Sequence, residues 1–118
     1  MKQEIEYDDK EKALEWQFQD YCFQLADSAE QLSEIDDTLQ ISVNQARMDL
    51  IISKQIIPVY VKKIETYKIM ILLKIAEDTF LLDYCCGEKK SVPSQEEFNI
   101  IKTWCKNKNI TLSNGVRL

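Results

Sequence analysis

From Leu14 to Ile35 the apolar residues recur alternately four and three positions apart, and no other feature constrains the fold of this chain more. Leu14, Phe18, Tyr21, Leu25, Ser28, Leu32 and Ile35 fall on one stripe of a helix with about 3.6 residues per turn. Cys22 and Ala29 widen the stripe, and neither glycine nor proline interrupts it. Asp8 or Asp9 can cap its start, and the acids of the first turn suit the positive end of the helix dipole. The spacing predicts one long N-terminal helix over Asp9–Ile35, preceded by a polar, frayed segment at residues 1–9.

Residues 36–57 fit two periods. Leu39, Ile41 and Val43 alternate as in a strand, and Ala46, Met48, Leu50 and Ile52 alternate again after a one-residue slip. Leu39, Val43, Ala46 and Leu50 equally fit a helix capped by Asp36 or Asp37. Residues 56–86 read as strands. Pro58 suggests a strand opening or an edge. Tyr67, Ile69, Ile71, Leu73 and Ile75 fall on one face, with Lys68, Met70, Leu72 and Lys74 on the other. Glu77-Asp78-Thr79 then turns into Phe80–Cys85. The rival is a single helix from Val59 to Cys86 ended by Gly87.

After a loop at Gly87–Pro93, Ser94 and Glu97 form a capping box that opens a helix to about Lys108. Phe98, Ile101 and Cys105 line its apolar face, widened by Ile100 and Trp104. Ile110-Thr111-Leu112 reads as a short strand, followed by a turn at Ser113-Asn114-Gly115 into Val116–Leu118. The expected fold is α+β in one domain of 118 residues: a long N-terminal helix and a second helix in the C-terminal half, packed on a small antiparallel sheet. An all-α arrangement of four helices is the alternative.

Charge is unevenly spread. Residues 1–37 carry 12 acids against three lysines, and residues 38–118 carry eight acids against 12 bases. The anionic first third repels nucleic acid and favours a protein partner with a basic surface. The longest apolar stretch, Ile69–Ala76, is too short for a membrane span and is broken by Lys74. No signal-like apolar segment follows Met1, so the expectation is a cytoplasmic chain whose Cys22, Cys85, Cys86 and Cys105 remain thiols.

The chain has no histidine and only two glycines, Gly87 and Gly115. These absences remove histidine-based acid–base and nucleophile chemistry, nearly all catalytic zinc sites, and phosphate-cradling loops. A metal-dependent nuclease built on Asp78, Glu88 and Lys90 is a remote alternative, since an acid-x-Lys triplet is common by chance in so charged a chain. A soft-metal site on Cys85-Cys86 with Cys22 or Cys105 would require vicinal thiolates to converge on one ion. No cofactor and no catalytic residue is expected.

One contact surface stands out. On the expected helix, Trp16 and Phe23 lie about 180–200° from Leu14 and Leu32, among Lys12, Asp20, Asp27, Glu30 and Glu34. Two aromatics set among acids describe a helical anchor for a partner. The competing reading is that the same rings are covered by the chain itself or by a second copy. The expected function is therefore non-catalytic protein binding of the regulator, inhibitor, antitoxin or immunity type, with a structural or adaptor subunit of a larger assembly as the alternative.

Overall fold

The computed structural model describes residues 4–41, 45–76 and 79–112. Its elements are α1 (Asp9–Lys12), β1 (Trp16–Phe18), β2 (Tyr21–Leu25), α2 (Ala29–Leu39), α3 (Gln45–Ile52), β3 (Ile56–Lys63), β4 (Thr66–Ala76), β5 (Thr79–Cys86), a 3-10 turn at Glu88–Lys90, α4 (Gln95–Lys108) and β6 (Ile110–Leu112). The strands form one curled, mixed sheet in the order β1-β2-β3-β4-β5-β6, a half-barrel.

The long N-terminal helix does not form, and neither does the all-α alternative. Residues Asp9–Ile35 divide into the single turn α1, the hairpin β1–β2 and the first part of α2. The reason lies in a second period within the same residues. Trp16 and Phe18 alternate, as do Tyr21, Phe23 and Leu25, and these aromatic types favour a pleated, half-buried surface. Pairing Phe23 with Val61 and Leu25 with Val59 gives β2 a full ladder against β3 and buries Tyr21, Phe23 and Leu25. Only from Ser28 onward does the helical spacing prevail. The Ser28 hydroxyl caps α2 by accepting from the Gln31 amide at 3.1 Å, and Leu32, Ile35 and Leu39 form its buried stripe.

The strands expected over residues 56–86 are present as β3, β4 and β5, paired antiparallel in sequence order. The expected turn through Glu77 and Asp78 lies outside the described residues, as do Val43, read as a strand or helix position, and the expected turn at Ser113-Asn114-Gly115 into Val116–Leu118. The sheet is nonetheless mixed rather than antiparallel, because β6 runs parallel to β5. A parallel neighbour requires a crossover, and α4 supplies it. The Ser94–Glu97 capping box forms in both directions, with the Glu97 amide donating to Ser94 Oγ at 3.2 Å and the Ser94 amide to Glu97 Oε1 at 2.8 Å. Of the ambiguous residues 36–57, those up to Leu39 close α2, those from Gln45 to Ile52 form α3, and Ile56 and Ile57 open β3.

Helices cover both faces of the sheet. On one face Ile100, Ile101, Trp104 and Cys105 of α4 pack against Phe23, Val59, Ile71 and Leu82. On the other, Leu32, Ile35 and Leu39 of α2 and Ile51 of α3 pack against Ile56, Tyr60, Met70 and Leu72. Residues Ile56–Val61 are buried at every position, as in a central strand covered on both sides. Pro58 thus sits inside the sheet and not on an edge. A register shift between Val61 and Lys62 leaves Lys68 unpaired and turns Tyr67 to the α2 face, where its ring meets Tyr60 edge-on at 5.4 Å. The expected common face for Tyr67 and Ile69 is lost at that bulge.

The N-terminal segment is tied down from Glu4 onward. Glu4 bridges to Ser28, and the Ile5 amide donates to the Asp27 carbonyl at 2.9 Å. Glu11, buried in α1, accepts from Lys54 at 2.6 Å and from the Asp8 amide at 2.8 Å. These contacts involve residues within the segment read as frayed, residues 1–9.

Candidate functional site

Trp16, Phe23, Asp20, Asp27, Glu30 and Glu34, expected together on one helix face, are separated into the β1–β2 hairpin, its turn and the start of α2. Trp16 lies half-buried on the edge strand β1, directly opposite Phe23 on β2. Its ring stacks on Phe18 at 5.3 Å and meets Phe23 at 5.6 Å. Phe23 is fully buried and stacks on Trp104 at 4.7 Å. Trp104 is itself fixed, because its indole N–H donates to the Leu14 carbonyl at 2.8 Å. These rings are a core ladder that ends at Trp16 and Phe18. Phe23 has no surface to offer a partner. Asp20 occupies the β1–β2 turn, exposed, and its carbonyl accepts from the Ile64 amide at 3.1 Å.

Asp27, Glu30 and Glu34 are brought together elsewhere. All three are exposed, and with Ser28 and Gln31 they line one shallow recess of about 240 Å³ at the start of α2. Helical geometry groups Glu30, Gln31 and Glu34, which are neighbours one turn apart, while Asp27, just before the cap Ser28, is held beside them through Gln31. The buried stripe of Leu32, Ile35 and Leu39 holds the opposite side of α2 on the sheet and so fixes which way the acids face. Gln31 forms the floor. Its Oε1 accepts from the Asp27 amide at 2.7 Å, and its Nε2 donates to the Tyr60 hydroxyl at 3.0 Å. That hydroxyl in turn donates to Gln24 Oε1 at 2.9 Å. Desolvation raises the Tyr60 pKa, which keeps this hydroxyl a donor.

No protein-family model, curated relative or solved structure matches this chain. The recess must speak for itself. Three carboxylates lining one recess attract ammonium and guanidinium groups, and a guanidinium can take a carboxylate through two parallel hydrogen bonds. The residue pattern places Ser28 on the long helical stripe rather than at a cap and does not single out Gln31, although a serine before an apolar-periodic run is a recognised cap signal.

The four cysteines do not gather into one site. Glu88 and Lys90 are exposed in the 3-10 turn, and Asp78 lies outside the described residues. The four cysteines are unbridged thiols. Cys85 and Cys105 share the α4 face of the sheet, while Cys86 points into the opposite cluster. Burial pushes the Cys85 and Cys105 thiols up to about 12, so both stay protonated and are weak nucleophiles and weak ligands at neutral pH. Among the described residues no group of three or more His, Cys, Asp or Glu side chains is placed to hold a metal ion, and no helix is long and apolar enough to cross a membrane.

Proposed function

We propose that this chain is a non-catalytic binding protein of the regulator or inhibitor type, and that it docks a basic surface of another protein through the acidic side of α2. The observation that carries this reading is the grouping of exposed Asp27, Glu30 and Glu34 around one recess on a helix whose other side is anchored in the core. A rigid helix presenting like charges costs little reorganisation on binding, and the surrounding negative potential speeds encounter with a cationic target. The absence of histidine in the sequence agrees with a role in contact rather than turnover. Cytoplasmic residence belongs to the same proposal.

The test compares the wild-type chain with a Glu30→Lys/Glu34→Lys double variant in affinity purification from the native host, with mass spectrometry of the co-eluting proteins. Both positions are exposed, so the variant should still fold, with a thermal transition lowered by a few degrees because Glu30 stands in the first turn of α2. A basic partner should be lost from the variant, and should dissociate from the wild type as salt is raised. An identical set of co-eluting proteins from both chains would remove the acidic side of α2 from consideration.

A further inference from the structure

The opposite face of the molecule carries a second feature, of opposite charge. A recess of about 650 Å³ runs between α4 and β6, with Lys102, Thr103 and Lys106 on the helix side and Cys105, Ile110 and Leu112 at its base. Among the described residues, none that lines it is acidic. Cys105 and Ile110 are buried, whereas Leu112 is 41% exposed, a large apolar side chain left partly in water at the rim. Lys102 and Lys106 are exposed and one helical turn apart, so their ammonium groups stand along the same wall. The Lys102 ammonium lies 4.8 Å from the Phe98 ring centroid, which restrains it toward that wall.

β6 is the last strand in the sheet order, and among the described residues nothing pairs with its outer edge. A row of amide and carbonyl groups without partners is a template for another strand. Next to it stand an apolar floor and two cations.

We propose that the β6 edge and the facing side of α4 take up an extended, acidic segment of a partner protein as an added strand. The segment's main chain would pair with the outward groups of β6. Its carboxylates would meet Lys102 and Lys106, and its apolar residues would cover Ile110 and Leu112. Main-chain pairing supplies affinity in such complexes, and alternate side chains supply specificity. A nucleic acid fits less well, because two lysines over an apolar floor neither track a phosphate backbone nor provide the aromatic faces on which bases stack. This site lies on the face of the sheet opposite α2 and attracts the opposite charge, so it stands or falls independently of the acidic recess.

The test titrates the isotopically labelled full chain with a blocked Glu-Val-Glu-Val-Glu peptide and follows backbone amide shifts. The expected result is perturbation centred on Ile110–Leu112 and on Lys102–Lys106. The Lys102→Glu/Lys106→Glu variant should bind this peptide about tenfold or more weakly and should bind the Lys-Val-Lys-Val-Lys counterpart instead. Hydrogen exchange of the unliganded chain gives a check that needs no variant. Outward β6 amides already protected there would mean that the edge is occupied, and would overturn the proposal. So would shifts that map elsewhere, indifference to charge reversal, or perturbation by oligouridylate with none by the acidic peptide.

Discussion

The Tyr7 hydroxyl donates its hydrogen bond to the carbonyl oxygen of Ala26, at the point where β2 runs out against β3. Across from Ala26 stands Pro58. The Ala26 amide donates to the Pro58 carbonyl at 3.1 Å, but the reciprocal bond has no donor, because proline lacks an N–H. Tyr7 fills that position from outside the sheet. The N-terminal segment thereby compensates a proline in an interior strand, which explains how Pro58 is tolerated away from an edge. Tyr7→Phe is expected to cost about 1 kcal/mol, the net worth of one such bond, measured as a lowered urea midpoint at an unchanged slope.

The same residue gives a pH dependence. Burial, followed by the nearby charges of Glu11, Asp27 and Glu15, raises the Tyr7 pKa above its ordinary value of 10.0. Burial likewise raises Cys85 and Cys105 from 9.0 to about 12. In each case the native state holds its proton more tightly than the unfolded chain does. Stability is therefore unaffected below about pH 9 and falls as pH climbs through the unfolded-state values. Alkaline titration of the unfolding free energy should show this decline from about pH 9, shallower at its upper end in Tyr7→Phe. A flat profile from pH 9 to 11 would contradict the buried placement of these groups.

Phe23→Ala should destabilise the chain by about 3–5 kcal/mol, because the ring is fully enclosed between Trp16 and Trp104. Trp16→Ala should cost only about 1–2 kcal/mol, in keeping with a half-buried ring at the sheet edge. Denaturant unfolding of the two variants side by side distinguishes them. Equal and small losses would place both rings on the surface, as a single N-terminal helix would have done.

Ile64 adopts φ 60° in the β3–β4 turn while its side chain is 72% exposed. A β-branched residue is strained there, and its exposure returns no packing. Ile64→Gly should relieve that strain and raise the thermal transition by a few degrees, corresponding to about 1 kcal/mol. A lowered transition would show that the isoleucine makes a stabilising contact.

Thiol accessibility offers a simpler readout. Cys22 is partly exposed on β2, whereas Cys86 and Cys105 are buried. With an aromatic disulfide reagent at pH 8, Cys22 should react first, and Cys105 only at the rate of global unfolding. Mapping the labelled peptides in time checks the order.

Much of the architecture is written locally. The capping box of Ser94 and Glu97 is two reciprocal hydrogen bonds within four residues, so α4 needs nothing distant to be recognised. The alternation through β3, β4 and β5, and the short run Ile110–Leu112, likewise declare strands from neighbouring residues. The grouping of Glu30 and Glu34 is legible for the same reason, since a helix puts them on one side whether it is long or short, whereas Asp27 lies before the Ser28 cap.

Residues 14–25 were different, and the cause is arithmetic. Leu14 and Phe18, like Tyr21 and Leu25, stand four apart, and a step of four keeps to one side of both a helix and a strand. The step of three from Phe18 to Tyr21 completes a helical stripe on paper, but in the molecule it spans a turn with Gln19 at φ 55°. The residue pattern alone determined the C-terminal helix and the lack of histidine chemistry, and favoured the central strands over a single helix from Val59 to Cys86. The hairpin of β1 and β2, the burial of Phe23, and the faces of Tyr67 and the cysteines were decided by tertiary pairing, because only the ladder to β3 and the bulge at Lys68 choose between two local patterns of nearly equal merit.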